Sequence, residues 1–286
     1  MKQDLHNQEW QALIEAIMNH TVGVTLGIHL ASGVVIRAAD QTYIVTVRHF
    51  VKGVRTDDLQ FMFRPPGTFR HVPRSADIHQ MFGRRATPLP IQRIVLSSDE
   101  DDLALLAISN DEVKKHRVIP YVFEKGATSP SAGEQMMVVG FPDQLVKSAI
   151  NRAGEQGAGA LAFAYVTRIS GKDFQHDKYR PESHFLLTFD QPQDDMEITA
   201  PRGMSGGGVW IPPGFPPTDR IWNPGEIKLA GIQVGWFETS KLLKAVRIER
   251  LATLLSEASY PPWPAGHGGE ALTTDGGTRE QSHRGR

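Results

Sequence analysis

Ser205 lies in Pro201-Arg202-Gly203-Met204-Ser205-Gly206-Gly207-Gly208, which runs straight into the apolar Val209-Trp210-Ile211. A serine that attacks a carbonyl needs an exposed hydroxyl on a tight turn, with backbone N–H groups converging where the oxyanion forms. Glycines on both sides permit such a turn. The hydroxyl is a poor nucleophile without a base, so the eleven histidines come next. His6 and His20 flank a helical segment, His71 and His79 lie in polar sequence, and His267 and His283 belong to the tail. His49 differs: it follows the strand-like Tyr43-Ile44-Val45-Thr46-Val47 and precedes Phe50-Val51. The core can hold it there while its ring faces a cleft. A carboxylate is needed to hold such a histidine in one tautomer. In Ser98-Asp99-Glu100-Asp101-Asp102, four acidic residues lead into the apolar run Leu103–Ile108. Asp102 adjoins that run and is predicted to be partly buried, the other three to be solvated. Taken singly, these features also fit a glycine-rich hairpin turn, a structural histidine and a charged loop.

The elements that must position them read as mostly β. After one amphipathic helix (Trp10, Leu13, Ile14, Ile17 and Met18 on one stripe), short β-branched runs follow one another from Thr21, separated by Gly, Asp and Pro. Little helix lies between them, which suggests antiparallel sandwiches or barrels rather than βαβ units. Strand signals thin between Asn110 and Gly133, the expected boundary between two β-rich halves. The expected organisation is a helix over 1–20, a first barrel over 21–120 and a second over 121–260, then a disordered tail over 261–286. A helix from about Val246 to Ser259 closes the second half, stopped by Pro261-Pro262.

His49, Asp102 and Ser205 occur in that order, 53 and 103 residues apart. Histidine and acid therefore belong to the first half and serine to the second. Thr46-Val47-Arg48-His49, Asp102-Leu103-Ala104-Leu105-Leu106 and Gly203-Met204-Ser205-Gly206-Gly207 resemble the T-A-A-H, D-[IL]-A-L-L and G-x-S-G-G segments of the trypsin-like (chymotrypsin-fold) serine peptidase family. Softer matches are Ala31–Ile36, Val138–Pro142 and Leu229–Ile232, so the likeness runs from about Val22 to Ala258. It implies an all-β fold of two antiparallel six-stranded barrels with a helix at each end. It also implies an endopeptidase with Ser205 as nucleophile, His49 as general base and Asp102 orienting the histidine. The N–H groups of Gly203 and Ser205 would form the oxyanion hole. Gln233, Val234, Gly235 and Trp236 would pair with substrate as an added strand, and Thr199 would floor the primary pocket.

Three departures sharpen the expectation. Met204 replaces the aspartate that, in digestive and clotting members, pairs with a newly cut amino terminus, and no I-V-G-G-like activation site precedes the domain. Cleavage-driven activation is therefore not expected, and the resemblance is to disulfide-free bacterial members. The neutral Thr199 argues against Arg/Lys preference. Arg48 stands where the family has a small residue.

Composition excludes several other classes. With no cysteine there is no disulfide framework, thiol nucleophile or thiolate metal site. No tight His/Asp cluster suggests a metal, and no cofactor is expected. The net charge of −1 gives no field for nucleic acid or an anionic membrane. Neither a signal peptide nor a membrane-spanning run is visible, so a cytoplasmic location is expected. The partners expected are a protein or peptide substrate and a regulatory protein. Gly203–Gly207 also satisfies the G-x-S-x-G elbow of α/β-hydrolases, but there the acid and histidine follow the serine. Here only the tail histidines do. The remaining alternative to an enzyme is an inactive trypsin-fold binding module.

Overall fold

Where both faces of a strand are covered, its odd and even residues enter different cores. In this computed structural model, β9 (Leu103–Ile108) shows the pattern: Leu103, Leu105 and Ala107 join one cluster, Ala104, Leu106 and Ile108 another. The structure describes residues 12–27, 29–63, 69–71, 78–81, 87–123, 130–144, 161–171, 173–189, 200–213, 223, 226–258 and 272–273.

The first sheet is built on six longer strands: β1 (Thr21–Leu26), β2 (His29–Ala38), β3 (Gln41–Val47), β4 (Leu59–Met62), β8 (Ile91–Leu96) and β9. The second is built on β11 (Gln135–Gly140), β12 (Leu161–Arg168), β13 (His184–Thr188), β14 (Gly208–Ile211), β15 (Lys228–Phe237) and β16 (Leu242–Arg247). Both are antiparallel along these strands, in the orders β8-β9-β3-β2-β1-β4 and β13-β16-β15-β14-β11-β12. This is the two-sheet chymotrypsin-like architecture that the resemblance implies. Short strands extend it: β7 (Thr87–Pro88), β10 (Tyr121–Val122) and β17 (Leu272–Thr273) join the first sheet. The hairpin of β5 (Phe69–His71) and β6 (Ile78–Met81) comes from the first half of the sequence yet pairs with β12 of the second sheet. Leu272–Thr273 lies in the segment predicted to be disordered, but it pairs in parallel with the edge of β8, where unpaired backbone groups accept it.

Each sheet has its own core, and a third cluster joins them. Val22, Ile44, Phe61 and Leu106 fill the first; Val138, Phe185, Val209 and Leu243 fill the second. Val45, Val47, Leu105, Val139, Trp210 and Ile232 meet between them. Two helices seal this joint. Residues 12–18 form α1, whose Leu13, Ile14, Ile17 and Met18 are buried; Trp10 lies outside the described residues. Two short helices follow, α2 (Arg48–Val51) and α3 (Asn110–Lys115). The closing helix α4 (Ile248–Ala258) buries Ile248, Leu251, Leu254 and Leu255. Each such side chain contributes roughly 1.5–3 kcal/mol. Arg93 Nη2 on β8 donates to the carbonyl of Ala258, capping the end of α4.

Candidate active site

β3 ends at Val47 and the chain turns at once into α2, a single turn carrying His49. The first N–H groups of a helix lack partners within it, and Val47 at the cap position supplies no side-chain acceptor. Asp102 supplies both: its carbonyl accepts from Arg48 N at 2.9 Å, and its Oδ1 accepts from His49 N at 2.9 Å. Oδ2 lies 2.6 Å from His49 Nδ1. Because an ionised carboxylate only accepts, Nδ1 carries the hydrogen and Nε2 keeps its lone pair. Asp102 reaches this position in the left-handed region (φ 54°), a conformation that aspartate tolerates better than most residues.

The acidic turn is more tightly held than its sequence suggests. Asp101, predicted to be solvated, is 5% exposed and takes Nε and Nη2 of Arg250 on α4 at 3.1 and 2.6 Å. Glu100 pairs with Arg180 at 2.7 Å, and its carbonyl accepts from the buried His184 at 3.2 Å. Asp99 lies 2.8 Å from Arg48 Nε, an ion pair without an aligned hydrogen bond, and 3.4 Å from Lys52 Nζ. Arg48 is itself buried and donates through Nη1 to Ser97 O, so the bulk at this departure from the family pattern is turned into the acidic turn.

The serine loop is fixed by glycine geometry. Gly203 and Gly206 have φ of 87° and 92°, and a Cβ at Gly206 would lie 1.9 Å from Ser32 O. Gly206 N donates to Gln233 O at 2.7 Å, Gly207 N to Met204 O at 2.8 Å and Gln233 N to Gly207 O at 2.9 Å. The N–H groups that hold the loop belong to Met204, Gly206 and Gly207. Among the described residues, those of Gly203 and Ser205 have no protein acceptor. Met204 is fully buried in the core of the second sheet.

Ser32 joins the two halves. Its N–H donates to Ser205 O (2.8 Å), its carbonyl accepts from Thr46 Oγ1 (2.7 Å), and its Oγ donates to Gly203 O (2.8 Å) while accepting from Phe141 N (2.8 Å). Thr46 is three residues before His49, so this one buried serine ties the His49 strand to the Ser205 loop. The structure thus brings His49 onto Asp102 and anchors Ser205 beside β2. Among the described residues Ser205 Oγ makes no hydrogen bond, and a serine–histidine bond is not formed in this state.

The Asp102 hydrogen bond is the main cause that holds the His49 imidazole above its ordinary pKa; burial and Lys244 oppose it. Gln233, Val234 and Gly235 lie on β15, with Gln233 paired with Ala245 and Gly235 with Lys244 across a bulge. Trp236 follows, edge-to-face with Phe189 at 4.9 Å. Thr199 lies outside the described residues. Among the described residues no group of three His, Asp or Glu could hold a metal ion.

A model of the trypsin-like peptidase domain matches residues 31–212. The chain belongs to that family. The matched segment contains His49, Asp102 and Ser205, and the trypsin-like domain makes this a serine peptidase of the hydrolase class. No curated protein matches the sequence. Among solved structures, a serine-to-alanine mutant of Rv3671c from M. tuberculosis H37Rv, in its inactive form, is similar at 15% identity, over 88% of this chain and 93% of that one, with a TM-score of 0.45. A thermostable serine protease, AL20, from an extremophilic microorganism is similar at 12% identity, over 85% and 98%, with a TM-score of 0.49.

The trypsin-like peptidase was not fully visible in its own sequence. Ser32, Lys244 and Arg250 carry no local motif because their partners are remote in sequence, and His184 joins the nearby Arg180 to the remote Glu100 carbonyl; only the Ala31-Ser32-Gly33 match touched one of them. Among the described residues no helix is long and apolar enough to cross a membrane.

Proposed function

We propose that this peptidase hydrolyses peptide bonds through Ser205, His49 and Asp102 by way of an acyl-enzyme, on a restricted protein target. The observation that carries this is the 2.6 Å contact of Asp102 Oδ2 with His49 Nδ1, which leaves Nε2 as the basic nitrogen. Ser205 Oγ attacks the carbonyl carbon as His49 Nε2 takes its proton; the carbonyl electrons move onto oxygen. The N–H groups of Gly203 and Ser205 receive that oxyanion. Collapse expels the amine, which takes the proton from His49, and water repeats the sequence to release the acid and restore Ser205. Asp102 stays ionised and stabilises the imidazolium throughout. The Ser205–His49 bond closes when substrate fills the site, as catalytic hydrogen bonds often tighten in the complex.

Gln233 to Trp236 would pair with an extended substrate strand, and Thr199 would floor the primary pocket with no carboxylate for Arg or Lys. Met204, packed in the core, supports a protein that needs no cut amino terminus to order its serine loop. Regulation would then fall to a protein partner, in a cytoplasmic setting that a cysteine-free chain suits.

The test is labelling by a fluorophosphonate probe in wild type, Ser205→Ala and His49→Ala. Labelling of wild type alone supports the triad. No Ser205-dependent adduct, in protein whose fold is intact by circular dichroism, would instead make this chain a trypsin-fold binding module.

A further inference from the structure

β16 reads Leu242-Leu243-Lys244-Ala245-Val246-Arg247. Its alternation sends Leu243 and Ala245 into the core of the second sheet, so Lys244 and Val246 point the other way, toward the joint between the sheets. Lys244 is 7% exposed there. Lysine is almost never buried without a charged partner, yet the bond made by its Nζ is to a neutral group, the carbonyl of Lys178, at 3.1 Å. The four carboxylates of the acidic turn have other partners: Asp99 the guanidinium of Arg48, Glu100 that of Arg180, Asp101 that of Arg250, and Asp102 the imidazole of His49.

The charged and titratable groups acting on Lys244 come from several neighbouring elements: Glu100, Asp101 and Asp102 from the acidic turn, His49 from α2, Lys178 from the segment before β13 and His184 from β13. Lys244 pairs with Gly235 across β15, and a Cβ on Gly235 would sit 3.4 Å from Lys244 Cε. The lysine stem therefore runs beneath the strand read as the substrate-binding one. Burial pushes the ammonium below its ordinary pKa, while Asp102 and Asp101 favour its charge.

We propose that Lys244 is a positioning residue of the Asp102–His49 pair, its buried ammonium opposing a second positive charge on His49 so that Nε2 stays free to take the Ser205 proton. This rests on the triad proposed above. The sign is direct: a cation nearby raises the free energy of the imidazolium and offsets part of what Asp102 gains it. Lys244 thus extends His49's working range to lower pH. It lies beyond the segment matched to the family, 31–212.

The experiment titrates His49 by NMR in the Ser205→Ala background, alone and with Lys244→Met, Lys244→Gln or Lys244→Arg, and follows fluorophosphonate labelling against pH with Ser205 restored. Both neutral variants should raise the His49 midpoint by about half a pH unit. Labelling should fall about three-fold on the acid side, with the deficit narrowing as pH rises, and Lys244→Arg should restore the midpoint. Lys244→Gln can still donate to Lys178 O, so it reads the charge if Lys244→Met fails to fold. An unmoved midpoint in a folded neutral variant overturns the proposal, and so does Lys244→Arg behaving like Lys244→Met. A wild type that never labels refutes the triad instead, while the NMR midpoints still report on Lys244.

Discussion

Asp102 grips His49 at two points, with Oδ1 2.9 Å from the backbone nitrogen and Oδ2 2.6 Å from Nδ1. One carboxylate thus caps the helix turn that carries the histidine and selects its tautomer. Asp102→Asn keeps the shape but can present an N–H to Nδ1, favouring the tautomer with hydrogen on Nε2. Acylation should fall on the order of 10³- to 10⁴-fold at neutral pH. The residual activity should show an acid limb moved to lower pH, because the principal cause raising His49 is gone. Rate against pH checks both, and an unmoved limb contradicts the assignment.

The same pair links stability to pH. His49 is raised in the folded protein, so its charge contributes stability fully below the unfolded value of about 6.5, and this is lost as pH rises through the folded value. Wild type should therefore exceed His49→Gln in urea midpoint by more at pH 5.5 than at pH 8.5. Equal gaps at the two pH values count against an ionised Asp102 beside the ring.

Ser32→Ala removes one hydroxyl that serves two buried groups, Phe141 N and Gly203 O. Leaving them unpaired should cost about 2 kcal/mol and slow labelling of Ser205 as its loop loosens. Thermal melts and labelling rates measure the two losses; a change in stability alone separates Ser32 from the site.

Gly206 has no room for a side chain, since the added Cβ would meet backbone oxygen. Gly206→Ala must displace the loop, and a shift of about 1 Å can cost 10²-fold in rate. Labelling should drop at least that far, with the bulk of the fold retained by circular dichroism. Normal labelling contradicts the loop geometry.

Much of this was legible because strand periodicity and turn chemistry are local. The short β-branched runs from Thr21 onward were readable, and the closing helix expected over about Val246–Ser259 spans Ile248–Ala258. The long strand β16 was not: Lys244 and Arg247 disguise it, and its second half merges into the helical pattern. The order His49, Asp102, Ser205 could be read because each sits at the edge of an apolar run. Asp101 could not be told from its acidic neighbours, since its partner Arg250 is 149 residues away on α4. Ser32 and Lys244 were hidden for the same reason: their roles come from contacts across the joint between the sheets, which no local spacing encodes.

The most direct measurement is the intact mass of the protein mixed with an active ester and quenched in acid over time. A single acyl group per chain, mapped to Ser205, is predicted to form and then decay as water releases it. It should be missing in Ser205→Ala and strongly slowed in His49→Gln. No adduct in folded wild type, or one that forms equally in Ser205→Ala, contradicts the acyl-enzyme account.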